Sequence, residues 1–452
     1  MAKDIESVFD ANHALVEIER LGRSSKTVNW SPTKNHNFSL IIPPTVYPPR
    51  DDTNLLAKRL LSFGPGRARK FLEIGCGSGA LSVLASSLGW EVYGCDINPY
   101  AVASTRGNLD TNLQSGTIKE GGVGPEKFPF NSKFDLIIWN LPYIPVSEVS
   151  EVLGPMEEAA LLDTDNKGLA KRFISTIESN ELLAQNGRIL LLGRNDSVQN
   201  SDTFAIRRWD DLEFDDGEIL TIFCLWRPYE NAENKYVQTT GSTNDDLMDK
   251  DGVGTHISSS WQTSGKGRRD RIWHSIEGCY AGSWIVAQGT EINPGLLQLS
   301  GGLAVLKSIA DERLKLKWPN DIFLKNRKLS GILVEGKTSK GLTKAILGIG
   351  INLTSKHEIE NLEIASVDEL KNTTHSEIDK RLNCEIASLI EERDNLPPVD
   401  FDSIKTEVLS EMRKFGKPKY LGNVYDDFEL NEKGELILGN LVIDDGEVVE
   451  WI

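Results

Sequence analysis

A chain of 452 residues is too long for one ordinary core, and its length points to about two to four domains. A net charge of −17 disfavours a general nucleic-acid binder, because phosphate affinity is built from clustered Lys and Arg and such clusters are few here; no DNA partner is expected. No run of about 18 uncharged apolar residues occurs, and the opening "MAKDIESVFDANHALVEIER" carries acids where a secretory signal needs an apolar run, so a cytoplasmic protein without a membrane partner is expected.

The five cysteines are odd in number and form no C-x-x-C pair, and the six histidines show no H-x-x-x-H spacing. Neither a disulfide framework nor a protein-held metal site is expected.

In chain order, residues 70 to 225 alternate apolar runs ("KFLEIG", "EVYGCDI", "FDLIIWN", "GRILLLG") with helix-like stretches. That rhythm predicts an α/β domain whose parallel strands are apolar on both faces. In "KFLEIGCGSGALSV" a strand runs into E-x-G-x-G-x-G and then a helix, and the glycines permit a tight turn and close backbone approach to a ligand. About twenty residues on, Asp96 ends a second strand, where a carboxylate can accept both hydroxyls of a ribose; the alternative role is the N-cap of the next helix. A later strand ends in Asn140, Leu141, Pro142 and Tyr143. There Asn140 offers one acceptor and two donors in fixed directions and Tyr143 an aromatic face, a set that can grip a planar amide or amine.

The polar "RPYENAENKY" reads as a linker near residue 230, and residues 236 to 355 again mix strands and helices in the manner of an α+β sheet. Within it "GKGRRDRIW" (265–273) places Lys266, Arg268, Arg269 and Arg271 among glycines. A solvated charge run is the ordinary explanation of such a stretch, but glycines let a loop fold over a ligand and bring cations and N–H groups to phosphate or carboxylate oxygens. Companion segments are "TGSTNDD", "KWPNDIFL", "KLSGILVE" and "GIGINL". A charged, helix-like stretch spans about 357–415, and the closing "GKPKYLGNVYDDFELNEKGELILGNLVIDDGEVVEWI" shows short β runs broken by Gly, Asn and Asp, which predicts a small antiparallel barrel.

The glycine turn, Asp96 and the Asn-x-Pro-Tyr loop together resemble class I S-adenosylmethionine-dependent methyltransferases. With "VYPPRDDTNLLAKRL" upstream and "LLDTDNKGLAKRFI" downstream, residues 40 to 227 resemble the HemK-like protein methyltransferases. The resemblance implies a Rossmann-like fold, S-adenosylmethionine held by Thr53, Glu73, Gly75, Gly77, Asp96 and Asn140, and an acceptor amide held by Asn140, Pro142 and Tyr143. It implies as acceptor a glutamine of a class I release factor, with a small zinc-binding activator protein as partner. Leu141 stands where that family has a first proline, which keeps bulk and frees the backbone.

The five motifs of the second half resemble the catalytic domain of biotin protein ligases, in order, across residues 236 to 355. The resemblance implies an α+β catalytic domain followed by a small SH3-like β-barrel. Biotin and ATP with Mg2+ are the implied substrates, and a lysine of a biotin carboxyl carrier protein the implied acceptor, by way of biotinyl-AMP. Ser242, Thr243, Asn244 and Gln262 would bind the ureido ring and its surroundings, Lys266, Gly267 and Arg268 belong to the ordering loop, and Asn320 and Asp321 to the adenylate site. Lys317 and Arg268 would neutralise the charge that builds as carboxylate meets triphosphate. Trp273 is read as packing beneath the loop, with stacking on the nucleotide as the alternative. Lys266 and Asp270 depart from the usual arginine and glycine.

The expected organisation is a methyltransferase domain at 1–229, a ligase catalytic domain at 236–356, and a helical connection with the small domain at 357–452. Two alternatives stand beside the bifunctional reading: a ligase whose first half is a non-catalytic binding module, and a methyltransferase that acts on a nucleobase amine.

Overall fold

The computed structural model describes residue 19 and residues 22–124, 128–142, 144–145, 162–163, 168–354 and 364–452; the side chains of residues 144, 145, 162, 163 and 270 lie outside that description. The chain divides into two compact units. The first holds the described residues up to 200 together with 207–226 and 394–397, and the second holds 201–206, 227–393 and 398–452.

The first unit opens with an antiparallel hairpin, β1 (Lys26–Thr33) and β2 (His36–Ile42). Helix α1 (Asp51–Ser62) follows, then β3 (Lys70–Ile74), α2 (Ala80–Ser87), β4 (Glu91–Asp96), α3 (Pro99–Thr111), β5 (Thr117–Glu120) and β6 (Phe134–Asn140). After α4 (Leu169–Ser179) come β7 (Leu183–Arg194), β8 (Ala205–Glu213) and β9 (Ile219–Trp226). The sheet order is β8-β9-β7-β6-β3-β4-β5. Strands β7, β6, β3, β4 and β5 are parallel, and β9 runs antiparallel to β7. Successive Leu136, Ile137 and Ile138 are all fully buried, as expected of a strand covered on both faces.

Strand β3 lies between β4 and β6, and Ile74 is in register with both Cys95 and Trp139. One residue further along each strand stand Gly75, Asp96 and Asn140, so three separate motifs meet at the carboxyl ends of neighbouring strands, where open α/β sheets bind ligands. Residues 394–397 complete this unit. Arg188 on β7 is buried, and its guanidinium donates to the carbonyls of Asn395 (3.2 Å) and Asp394 (3.3 Å); Arg207 donates to that of Pro397 (2.6 Å).

The second unit holds β10 (Asn234–Val237), α5 (Thr243–Leu247), β11 (His256–Ser259), β12 (Tyr280–Gly289), α6 (Pro294–Ile309), β13 (Leu314–Lys317), β14 (Asp321–Leu324), β15 (Arg327–Ser339) and β16 (Leu342–Ile351). Its sheet runs β10-β11-β12-β16-β15-β14-β13 and is antiparallel except for β10 on β11. Helix α6 packs on β15 and β16, with Gly301 facing Ile332 and Leu347.

The helix-like stretch resolves into α7 (His375–Ile390) and α8 (Phe401–Phe415), parted at "NLPPVD", where the prolines end helical pairing; residues 357–363 of that stretch lie outside the described residues. Beyond α8 come β17 (Pro418–Tyr420), β18 (Asn423–Val424), β19 (Glu429–Leu430), β20 (Leu436–Leu438), β21 (Leu441–Ile443) and β22 (Glu450–Trp451). They form two three-stranded sheets, β18-β17-β22 and β19-β20-β21, and among the described residues no closed barrel. Phe428 and Phe415 pack edge-on against Trp451 (5.6 and 5.8 Å between ring centres) in the core of this module. Among the described residues no helix is long and apolar enough to cross a membrane.

Candidate active sites

In the first unit the glycine turn takes the backbone its residues allow: Gly75, Gly77 and Gly79 all have positive φ. The Asp96 carboxylate ties this turn to the end of β4, accepting from Gly77 N–H and from Asn98 N–H at 2.9 Å each. It is not the cap of α3; that is Asn98, whose side chain accepts from Tyr100 N–H. Glu73 is buried behind the turn and accepts from Ser82 Oγ at 2.5 Å. Burial pushes its pKa up to about 8, against the lowering effect of the Ser82 hydrogen bonds, and burial likewise raises that of Asp96.

Asn140 stands at the end of β6. Its Nδ2 donates to Asp52 Oδ2 (2.8 Å), while its Oδ1 is buried without a hydrogen-bond partner. Asp52 Oδ1 accepts from Thr53 N–H (2.6 Å), and Thr53 Oγ1 closes the first turn of α1 by accepting from Arg50 N–H (3.3 Å). Thr53 is thereby joined to the Asn140 end of the site and Gly77 to Asp96, while Glu73 is tied to Ser82. Leu141 is buried, and its N–H donates to Leu192 O (2.9 Å), a bond that proline could not make. The backbone that the sequence suggested was freed is held by the sheet. Pro142 is described and Tyr143 lies outside the described residues.

In the second unit a cleft is lined by Ser242, Thr243, Asn244, Gln262, Lys266, Gly267, Arg268, Asn320 and Asp321, all expected at one site, and by Arg271, Trp273, Lys328, Gly331, Gly348, Gly350 and Glu447. Its floor is polar, buried and internally paired. Gln262 Oε1 accepts from Thr243 N–H (2.8 Å), and Ser283 Oγ bridges Thr243 Oγ1 (2.7 Å) and Asn244 Oδ1 (2.6 Å). Asn244 Nδ2 donates to Glu335 (2.6 Å). Gly348 makes room for that asparagine: a Cβ there would lie 2.3 Å from Asn244 Oδ1. A Cβ on Gly350 would lie 2.6 Å from the Trp273 ring, so this tryptophan lies against β16 inside the cleft, with its Nε1 buried and unpartnered.

Lys317 is in register with Asp321 of the cleft but is not itself among the residues that line it. Its ammonium lies over the Phe323 ring, 5.6 Å from the centre. Lys328 lines the cleft beside Lys266, Arg268 and Arg271; its Nζ pairs with Asp321 (2.6 Å) and lies 5.5 Å from the Trp273 ring centre. The sequence signal was present in "KLSGILVE", but a register shift between β14 and β15 pairs Ile322 with Ser330 and Phe323 with Lys328, so counting alternate residues misplaces this side chain.

The basic loop is not free in solvent. Lys266 pairs with Asp245 and lies 3.9 Å from Glu335; the Asp245 bond raises its pKa. Arg269, in left-handed backbone, pairs with Asp445, Arg271 with Glu447 (2.7 Å), and Arg268 reaches Asp444 O (3.4 Å). An acidic turn at 444–447 therefore faces the loop across 176 residues of sequence. Arg268 is half-buried, and burial, then the neighbouring Arg269 charge, lowers its pKa. The side chain of Asp270 lies outside the described residues. Among the described residues no cluster of three His, Cys, Asp or Glu is placed to hold a metal.

The Biotin/lipoate A/B protein ligase family matches residues 238–352, and the Ribosomal protein L11 methyltransferase (PrmA) family matches residues 56–154. The Bifunctional ligase/repressor BirA of Escherichia coli is 35% identical over 131 residues, 27% of this chain and 40% of that protein. The chain thus spans well under two thirds of that relative. A provisionally named protein N5-glutamine methyltransferase of Methanocaldococcus jannaschii is 32% identical over 138 residues, 30% of this chain and 67% of that protein. The biotin protein ligase of Aquifex aeolicus, solved with biotin and ATP, is 26% identical, with 49% of this chain and 95% of that chain covered and a TM-score of 0.37. Over its N-terminal half the chain belongs to the methyltransferase family of that archaeal protein, and over its C-terminal half it carries a domain of the biotin/lipoate A/B protein ligase family.

Proposed function

We propose that the chain is a bifunctional enzyme that attaches biotin to a carrier lysine through biotinyl-AMP and methylates a protein nitrogen with S-adenosylmethionine. The observation that carries the ligase reading is one cleft in which the buried Ser242–Asn244 floor faces the cations Arg268 and Lys328. In the first step the biotin carboxylate attacks the α-phosphorus of ATP, forming biotinyl-AMP and expelling pyrophosphate. Like charges meet there, and fixed cations offset the charge as it builds. In the second step a neutral lysine amine attacks the acyl carbon, AMP leaves, and the amine proton passes to water. Polar groups of the floor suit a ureido ring, and Trp273 offers a face to a purine.

The methyltransferase reading rests on Asn140, whose unpartnered Oδ1 beside the glycine turn suits an acceptor N–H. The nitrogen lone pair takes the methyl carbon, the sulfonium bond breaks to give S-adenosylhomocysteine, and one nitrogen proton leaves to water. By likeness to the archaeal relative the acceptor is a glutamine side chain, and we extend this to a class I release factor with a small zinc-binding activator. The carrier is taken to be a biotin carboxyl carrier protein, and the domain limits those at 229, 236 and 356. The C-terminal module, read as SH3-like, enters this reading through its 444–447 turn. In an assay with biotin, ATP and carrier, release of pyrophosphate without biotin transfer would leave only the first step, and neither product would overturn the ligase reading. With isotope-labelled S-adenosylmethionine and a release factor, label that survives loss of the Gly-Gly-Gln glutamine would overturn the methyl acceptor.

A further inference from the structure

The two ends of an asparagine amide are nearly isosteric, so packing alone does not decide which faces a substrate. Asp52 decides it for Asn140. An ionised carboxylate only accepts hydrogen bonds, so the NH2 end must turn to Asp52 Oδ2, at 2.8 Å, and Oδ1 must face away. That oxygen is buried and unpartnered, a state that costs about 1–3 kcal/mol until a donor arrives. The carboxylate is itself held, because its other oxygen accepts from Thr53 N–H at 2.6 Å in the first turn of α1.

We infer that Asp52 is a positioning residue for methyl transfer: it locks the Asn140 amide with its carbonyl toward the acceptor nitrogen, and so selects acceptors that carry an N–H. The inference rests on the methyltransferase reading above. An N–H held by Asn140 Oδ1 fixes the nitrogen's lone pair toward the methyl carbon, and misorientation of that kind costs about 100-fold in rate. Carboxamides and primary amines meet the requirement. A carboxylate or thiolate acceptor offers no donor to Oδ1 and meets the charge of Asp52 as well.

The test uses the full chain, labelled S-adenosylmethionine and a class I release factor. Asp52→Asn is expected to lower kcat by about 100-fold while KM for S-adenosylmethionine changes little, because the amide pair no longer dictates one orientation. The exchanged pair Asp52→Asn with Asn140→Asp re-forms the bond with roles reversed and still presents an oxygen to the acceptor. It is expected to recover at least about tenfold over Asp52→Asn, a rescue that a merely structural role would not give. Unchanged kcat in Asp52→Asn, or no rescue in the exchanged pair, would overturn the proposal. If the wild-type chain binds S-adenosylmethionine and leaves the release factor unlabelled, the acceptor assignment fails instead. Asp52 is then judged by NMR of the 15N-asparagine-labelled chain: the Asn140 side-chain amide, identified by its absence in Asn140→Asp, is expected to show one proton shifted downfield. The same shifts in Asp52→Asn would sink the proposal.

Discussion

Lys328 near the start of β15 and Lys317 at the end of β13 differ in what their ammonium groups reach. Lys328 is paired with Asp321 at the wall, so an incoming triphosphate would exchange one anion for another around a cation already in place. Lys328→Ala is expected to slow biotin-dependent pyrophosphate release by about 100-fold or more, and Lys317→Ala by a few-fold at most; equal losses would return Lys317 to the chemistry. Glu73 carries a pH consequence. Its carboxyl titrates at about 8 when folded against 4.5 ordinarily, so between those values the native state holds a proton that the unfolded chain has lost. Stability is full below the lower value, falls by at most about 1.4 kcal/mol per pH unit through the window, and levels off above about 8. Glu73→Gln keeps an acceptor for Ser82 and removes the titration. Thermal melts from about pH 5 to 8, with the methyltransferase transition identified by its shift with S-adenosylhomocysteine, should flatten in the variant, and parallel curves would refute the assignment.

Strand β16 illustrates what an element contributes. It brings Gly348 under Asn244 and Gly350 under Trp273, so two side chains from other segments lie on bare backbone. Gly348→Ala would put a methyl 2.3 Å from Asn244 Oδ1 and force that amide away from both Ser283 and Glu335. The expected cost is about 1–3 kcal/mol of stability with a clear loss of biotin affinity by calorimetry; unchanged affinity would remove Asn244 from the biotin contacts. The loop at 265–273 shows a second use of an element. Two of its arginines, Arg269 and Arg271, are already partnered by Asp445 and Glu447, so anion binding to them competes with carboxylates and does not begin from solvent.

Across the whole molecule, what could be read from the sequence was what lies close together in it. The strand-glycine-helix unit, Asp96 at its strand end and the glycine-broken basic loop are each encoded within a few consecutive residues by backbone requirements that few sequences meet. Pairings across long separations could not be read: Asp52 with Asn140, Arg269 with Asp445, and the bulge that turns Lys328 inward depend on which strands become neighbours. Whether the closing β runs join into a barrel could not be read for a related reason, since composition indicates short strands but not how their ladders meet; the described residues form two three-stranded sheets.

Residues 394–397 lie far along the chain and yet supply acceptors to buried Arg188. The methyltransferase unit is therefore not finished when its own contiguous stretch has been synthesised; its last pieces arrive after most of the ligase segment has left the ribosome. A fragment ending near residue 229 would keep a buried guanidinium short of two partners, an omission that costs about 1–3 kcal/mol or more. Such a fragment is expected to melt below the methyltransferase transition of the full chain, and equal melting temperatures would show that the split is harmless. If the fragment is the weaker, the two enzymes cannot be separated by a single cut without damage to one of them, and loss of the later half would carry a penalty for the earlier one.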